Sequence, residues 1–466
     1  MTNSILILLP VISVALGALV SLALEPFLKD ENKHQVLPWV SLSFVILAFV
    51  SLFVTPDGVY YQVYAMNATQ KLFAFAILFS LFLGIGGMQW TLAREKFPGG
   101  EAYGLLMLAS VGALLMAMSV DLLALFISME LAAFPIYALV GLRRKDKRGN
   151  EGTFKYFVTG AVFSAIFLYG MSLFYGASGS TSFDAAVFEN RTILLALGLL
   201  LVLIGLFFKA GAAPTHFWVA DVYTGAPIAV TSFMAAVVKI GALAAIANLW
   251  IAMDADATIR KLVVFVALLS VVIGAFSGLA QKSVRRILAF SAVMNAGFML
   301  LALLVQKENS SEFFTGALQM FLVTYAIASA GALTGVAYLA SPNDENETLD
   351  SLQGLGKAHP VCGLSIVICL ASLAGLPPLA GFLAKFELFT GLFASGYGCI
   401  ASVVFFLSLI AAIYYLRIAY VLFAGNKESQ IKEDSLDSAS WILKAGVSLA
   451  AIAMILFAVF PNWICF

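Results

Sequence analysis

Once the connections are set aside, five basic side chains remain inside long apolar runs, Lys155, Lys209, Lys239, Lys385 and Arg417, and Glu130 is their clearest acidic counterpart. A charge at the centre of a bilayer costs at least ~2.5–3.5 kcal/mol on insertion scales, so each of them needs a partner, water or a task. Glu130 is the eleventh of 23 residues in the run 120–142, and Lys239 the twelfth of 24 in the run 228–251. At about 1.5 Å of rise per residue, both fall near the middle of a crossing. Burial favours the neutral amine of a lysine and a nearby carboxylate favours its ammonium form, so moving a carboxylate relative to a buried lysine switches the proton on and off. Arginine stays charged and cannot do this. A row of buried lysines with one glutamate is therefore a candidate proton relay.

Plainer readings compete with this one. Glu130 alone can serve a buried ion pair that fixes helix packing, but one glutamate cannot neutralise Lys209, Lys239 and Lys385 together. Lys155 and Arg417 lie near an end of their runs, where a long side chain snorkels to the interface, so anchoring and function stand level for them.

Two runs are abnormal in the same way. The run 192–222 has 31 residues and holds Gly211 and Pro214 directly after Lys209; the run 359–395 has 37 and holds Gly375, Pro377, Pro378 and Gly381 before Lys385. Each reads as a broken helix with a lysine beside the break. Exposed backbone at such a break binds water or ions, and a Gly/Pro-interrupted span at corresponding places in two halves points to a transporter's ion site. A proline kink beside a packing lysine is the simpler alternative. His216, in APTHFW just past the first break, fits a proton carrier between Lys209 and Lys239 because imidazole titrates near neutral pH. A satisfied structural histidine is the other reading.

The elements that must position these groups follow from composition. Of 466 residues, 62% are hydrophobic and 11% charged, against about 25% charged in a soluble domain. Apolar runs bounded by Gly, Pro or charge place spans near 3–25, 37–54, 70–93, 104–118, 120–142, 154–176, 192–222, 228–251, 259–280, 284–305, 313–340, 359–395, 397–424 and 440–462. Backbone groups in lipid must be satisfied within each segment and no alternating barrel pattern occurs, so the expected fold is an all-α polytopic bundle of about 14 transmembrane helices. The first run lacks a basic leader and exceeds signal-peptide length, which makes it a retained span. Fifteen Lys and Arg fall in the odd-numbered connections, five of them in LRRKDKRGN after span five, against Lys71, Arg191, Arg260, Lys261 and Lys307 in the even ones. That bias puts the odd connections in the cytoplasm and both termini opposite.

The balance of 26 basic and 26 acidic residues argues against a nucleic-acid partner. Cys362, Cys369, Cys399 and Cys465 form no C-x-x-C pair and read as apolar packing residues, so no metal, haem or iron–sulfur site is expected in this chain. The Gly-rich stretch at Gly84 lies within a span and reads as helix packing. The acidic connection 341–358 reads as solvated.

The stretches PTHFWVADVYTGAP (214–227), QKSVRRILAFSAVMNAGF (281–298), SMELAAFPIYALVG (128–141) and GLPPLAGFLAKFE (375–387) resemble the antiporter-like membrane subunits of respiratory complex I, the NADH:quinone oxidoreductase. The similarity covers roughly residues 104–424. The N-type subunit fits best: the M-type has glutamate at the span-twelve lysine, and the L-type continues into a lateral helix for which nothing is expected to remain after Phe466.

The resemblance implies three peripheral helices over 1–103 and two inverted five-helix repeats, 104–251 and 259–424, each with one broken helix. A C-terminal helix occupies 440–466. It implies Glu130 as the modulating glutamate, Lys209 as the broken-helix lysine, Lys239 as the connecting lysine and Lys385 as the lysine of the second half-channel, with Lys155 at a basic position entering span six. A contact between Glu130 and Lys209 rests on the resemblance alone. The expected function is proton translocation in the energy-transducing membrane, by resemblance the bacterial inner one, coupled to quinone reduction elsewhere in the complex. Flavin and iron–sulfur clusters would sit in partner subunits, beside neighbouring antiporter-like chains. The nearest rival is a subunit of a multi-subunit cation/proton antiporter; a scaffold and a stand-alone solute carrier are weaker ones.

Overall fold

The computed structural model describes residues 5–97, 99–184, 187, 192–253, 257–305, 316–340, 344, 347–425 and 437–464. Arg191, Lys307, Lys427, Lys432 and Cys465, which entered the readings above, lie outside the described residues, as do 341–343 and 345–346 of the acidic connection.

Helices dominate, as the apolar runs require. In chain order they are α1 (Leu9–Leu24), α2 (Asp30–Val54), α3 (Ala68–Glu95), α4 (Glu101–Met118), α5 (Leu122–Val140), α6 (Lys147–Ser178), α7 (Ile193–Ala210), α8 (Val219–Gly225), α9 (Ile228–Met253), α10 (Ala257–Leu279), α11 (Val284–Ala302), α12 (Gly316–Leu339), α13 (Leu355–Ala358), α14 (Pro360–Ala374), α15 (Ala380–Ala394), α16 (Gly398–Phe423) and α17 (Asp437–Val459). Thirteen helical segments among the described residues are long and apolar enough to cross a membrane. The remaining expected crossing, 359–395, is the pair α14 and α15, each 15 residues long. The protein is thus a multi-pass helical membrane protein with the crossings laid out as the sequence suggests.

Short polar side chains start these helices. Asn67, Asp121, Asp146, Thr192 and Ser283 each accept a hydrogen bond from a first-turn backbone N–H of α3, α5, α6, α7 and α11, satisfying donors that the helix itself cannot. Because Asp146 caps α6, Lys147 and Arg148 belong to that helix, and the span expected at 154–176 runs from 147 to 178. The connection 55–69 holds a small antiparallel hairpin, β1 (Gly58–Tyr60) with β2 (Tyr64–Met66), in register Gly58↔Met66. Its reversal uses positive φ at Tyr61 and Gln62, a turn geometry that the side chains there do not advertise.

The helices α9 and α12 form the centre, enclosed on every side over their apolar windows, whereas α6 and α16 are mostly outward-facing. Polar groups cross-link the centre: Gln70 of α3 donates to Asn248 of α9 (3.2 Å), Gln319 of α12 donates to Thr69 of α3 (2.8 Å), and Ser232 of α9 pairs with Thr334 of α12 (2.7 Å).

Two carboxylates of the acidic connection after α12 are not solvated as expected, while Asp350 is exposed. Asp344 is 2% exposed and Glu347 8%. Asp344 accepts from Arg143 at 2.8 Å and from the Ile228 backbone N–H, the first of α9, at 3.1 Å, and lies 3.6 Å from Arg94. Glu95 pairs with Arg143 at 2.5 Å, and Arg94 donates to the Ala337 and Ala340 carbonyls at the end of α12. Glu347 pairs with Arg285, whose guanidinium also donates to the Ala226 carbonyl after α8. Three of the basic residues counted as loop charges, Arg94, Arg143 and Arg285, thus turn inward and draw the carboxylates with them, because a buried charge is tolerated only when paired.

Candidate functional site

The first break is built by backbone. α7 ends at Gly211, whose φ of 70° would cost an L-residue roughly 1–2 kcal/mol. Past it, the Ala213 N–H donates to Ser270 of α10 (2.8 Å), and the Trp218 indole donates to the Phe208 carbonyl (3.1 Å). Groups freed by the break therefore find protein partners, the condition for irregular backbone at membrane depth.

Lys209, in the last turn of α7, is buried, with its ammonium 3.7 Å from a Glu130 carboxylate oxygen on α5. Its Nζ is 3.4 Å from the Tyr137 hydroxyl, one helical turn pair along α5 from Glu130, and 5.8 Å from the centre of that ring. Glu130 in turn accepts from Ser164 Oγ of α6 at 2.5 Å. Three helices thus converge on one carboxylate, and the contact that only resemblance implied is present in the geometry.

Lys239, near the middle of α9, is equally buried and donates to the Ala292 carbonyl of α11 at 2.7 Å. Its ammonium rests against the first break: a Cβ on Gly211 would stand 3.4 Å from Lys239 Nζ. The second break repeats the arrangement. α14 ends at Gly375 with φ 84°, and Ser372 Oγ accepts from the Gly381 N–H that opens α15 (3.0 Å). Lys385 of α15 folds back to donate to the Ala374 carbonyl (2.9 Å) and to Ser408 of α16 (3.0 Å), with Phe298 of α11 beneath it at 5.6 Å. Its charge sits at the C-terminal, negative end of the half-helix α14. Among the described residues, neither Lys239 nor Lys385 has a carboxylate at ion-pair distance.

Linear spacing suggested that Lys209 and Lys385 are the matched pair beside the two breaks. By contact with the break glycine, the pair is Lys239 at Gly211 and Lys385 at Gly375. A Cβ on Gly375 would fall 2.8 Å from Lys385 Cδ. Gly375→Ala is therefore expected to strain the left-handed backbone by roughly 1–2 kcal/mol and to push Lys385 off the Ala374 carbonyl. A lowered thermal midpoint of the assembled protein together with reduced ion movement checks this; wild-type values for both would refute it.

The other expected residues are placed differently. His216 is half-buried in the first break between outward-facing Pro214 and Phe217, and its Nδ1 has no hydrogen-bond partner among the described residues. Lys155 does not join the buried lysines: it pairs with Glu151 at 2.6 Å and Asp221 at 2.9 Å, with 42% of its side chain exposed. Asp221 also holds Arg286 at 3.2 Å, so Lys155 belongs to a charged rim joining α6, α8 and α11. Ser164, Tyr137 and Ser408 were not singled out from sequence, since hydroxyl residues within apolar runs carry no periodic or charge signal. Among the described residues, no group of three His, Cys, Asp or Glu is arranged to hold a metal.

Residues 119–411 match the family model described as NADH:quinone oxidoreductase/Mrp antiporter, TM. NADH-quinone oxidoreductase subunit N 2 of Rhizobium meliloti is 30% identical over 465 residues, covering 97% of this chain and 95% of that protein. Respiratory complex I of Thermus thermophilus, solved with bound aureothin, contains a chain that superposes with a TM-score of 0.82 at 31% identity, covering 97% of each. The Mrp complex of a Dietzia species contains a chain that superposes at 0.83 with 19% identity, covering 99% of this chain and 96% of that one, a likeness of fold. With a family match over most of its length and a relative of near-equal extent, this chain belongs to the NADH:quinone oxidoreductase/Mrp antiporter family of multi-pass membrane proteins.

Proposed function

We propose that this chain is the N-type, proton-translocating membrane subunit of a NADH:quinone oxidoreductase, moving protons along Glu130, Lys209, Lys239 and Lys385 while electrons pass to quinone in other subunits. The observation that carries this reading is the approach of buried Lys209 to partly buried Glu130 at 3.7 Å, followed by two buried lysines beside the breaks that lean on neutral oxygens. A lysine held by carbonyl and hydroxyl oxygens alone is free to give up its proton when a neighbouring charge moves, whereas one locked in a tight ion pair is not. Lys209 is the group whose charge Glu130 controls, Lys239 the one that receives from it, and Lys385 the one that releases.

In this reading the stretches 104–251 and 259–424 act as two half-channels, with 1–103 and 440–466 flanking them. His216, at the first break, is a candidate to exchange protons between Lys209 and Lys239. Lys155, with Asp221, lies at the entry side. The odd-numbered connections face the cytoplasm and the termini the opposite side, in a bacterial energy-transducing membrane. Flavin and iron–sulfur clusters belong to partner subunits, and other antiporter-like chains lie beside this one.

The likeness of fold to the Mrp chain supports a second reading, a subunit of a multi-subunit cation/proton antiporter. Affinity purification on this chain in mild detergent, followed by mass spectrometry and by proton uptake into vesicles supplied with NADH and quinone, separates the two. Flavin and iron–sulfur subunits with donor-driven uptake are the expected result. Antiporter-like partners alone, with sodium-dependent proton movement and no electron donor, would replace this proposal with the second reading.

A further inference from the structure

Lys239 and Lys385 both reach α11, Lys239 through the Ala292 carbonyl and Lys385 over the ring of Phe298, which packs against Phe321. One polar cluster lies on the same stretch of α11. Tyr415 of α16 and Ser291 of α11 pair through their hydroxyls, and Asn295, one turn further along α11, donates to Tyr415 Oη at 3.2 Å and to the Ser291 carbonyl at 2.8 Å. All three are 3% exposed or less. Each lysine has a contact beside the cluster. Lys239 donates to the carbonyl of Ala292, the residue next to Ser291. On the other side, Asn295 lines a cavity of about 10 Å³ that it shares with Thr324, Tyr325, Ser372 and Lys385. That is about the volume one water needs, and the polar lining supplies its partners. The Tyr325 hydroxyl, enclosed and without a hydrogen-bond partner among the described residues, is available to such a water.

We infer that the Ser291–Tyr415 hydroxyl pair, with Asn295 as its positioning residue and one water in the adjoining cavity, carries the proton between Lys239 and Lys385. The inference rests on the lysine relay proposed above and names what joins its two halves. A hydroxyl both donates and accepts, so each one takes a proton at oxygen from the side of Lys239 and releases its own toward Lys385. The ammonium of Lys239 becomes an amine, the amine of Lys385 becomes an ammonium, and the hydroxyls and water end neutral. Asn295 carries no proton itself. Its amide N–H occupies one lone pair of Tyr415 Oη, which leaves the phenol proton directed at Ser291 or at the cavity.

Tyr415→Phe keeps the ring and its packing and removes only the hydroxyl. In the assembled complex, its proton pumping is expected to fall about tenfold or more, with a larger loss of rate on transfer from H₂O to D₂O than the parent shows. A packing role alone would leave that isotope ratio unchanged. Ser291→Ala, which deletes the other hydroxyl, is expected to behave alike and decides the matter if Tyr415→Phe fails to assemble. Pumping and isotope ratio equal to the parent in an assembled hydroxyl variant would overturn the inference. Lys385→Ala, measured in the same membranes, separates the two levels: if it stops pumping while the hydroxyl variants pump normally, the lysine relay stands and only this link is wrong. If it too pumps normally, the relay and the link fall together.

Discussion

Lys385→Ala, in a complex that still assembles, is expected to lower the number of protons moved per electron and to slow pumping by about a hundredfold if every proton leaves through this lysine. The effect should be large because no nearby group can stand in. Lys385 is bound by the Ala374 carbonyl, Ser408 and the face of Phe298, and none of these can hold an extra proton at neutral pH as an amine does. Removal of the side chain also strips the C-terminal end of α14 of its cation and leaves the Ala374 carbonyl facing a void. Lys385→Arg is the sharper control. It keeps the charge and satisfies the carbonyl, but a guanidinium does not deprotonate, so stability should be retained and pumping lost. Pumping near the parent level with arginine at 385 would remove Lys385 from the relay. On the entry side, Glu130→Gln keeps an acceptor for Ser164 and removes only the charge that faces Lys209, so it tests modulation without disturbing packing.

Asp344→Ala is expected to give the largest loss of stability. It would leave Arg94 and Arg143 with Glu95 as their shared carboxylate, and the first N–H of α9 without its acceptor. Removing one member of a buried ionic cluster costs about 3–5 kcal/mol, because the remaining charges stay buried and uncompensated. The thermal midpoint of the detergent-solubilised complex, followed by size-exclusion chromatography, checks this. Asp344→Asn should cost less, since its amide oxygen still accepts from Ile228. An unchanged midpoint for Asp344→Ala would show that the cluster contributes nothing to holding these helices together. A loss of pumping at intact stability would point instead to the link that Asp344 makes between the start of α9, which carries Lys239, and the end of α5, which carries Glu130.

Much of this protein was open to reading without coordinates, for a physical reason. Lipid demands closed backbone hydrogen bonding and penalises charge, so the helices announce themselves as apolar runs and functional residues stand out as exceptions within them. Glu130, Lys209, Lys239 and Lys385 were conspicuous on that ground alone, and the breaks at Gly211 and Gly375 followed from glycine and proline in runs too long for one crossing. The motif residues around them carried the resemblance to the family.

What the tertiary structure decided is who touches whom. The 3.7 Å approach of Lys209 to Glu130 joins residues 79 positions apart on α7 and α5, a distance that no periodicity encodes. The match of Lys239, rather than Lys209, to Lys385 at the break glycines depends on how α9 leans on α7. Asp344 and Glu347 looked like solvated loop charges because linear composition cannot tell a loop that hangs in water from one folded over a helix end. Buried pairing depends on two chain segments arriving together, and that information belongs to the packing. The sequence by itself marked which charged groups lie inside apolar runs; only the fold determined which of their neighbours they touch.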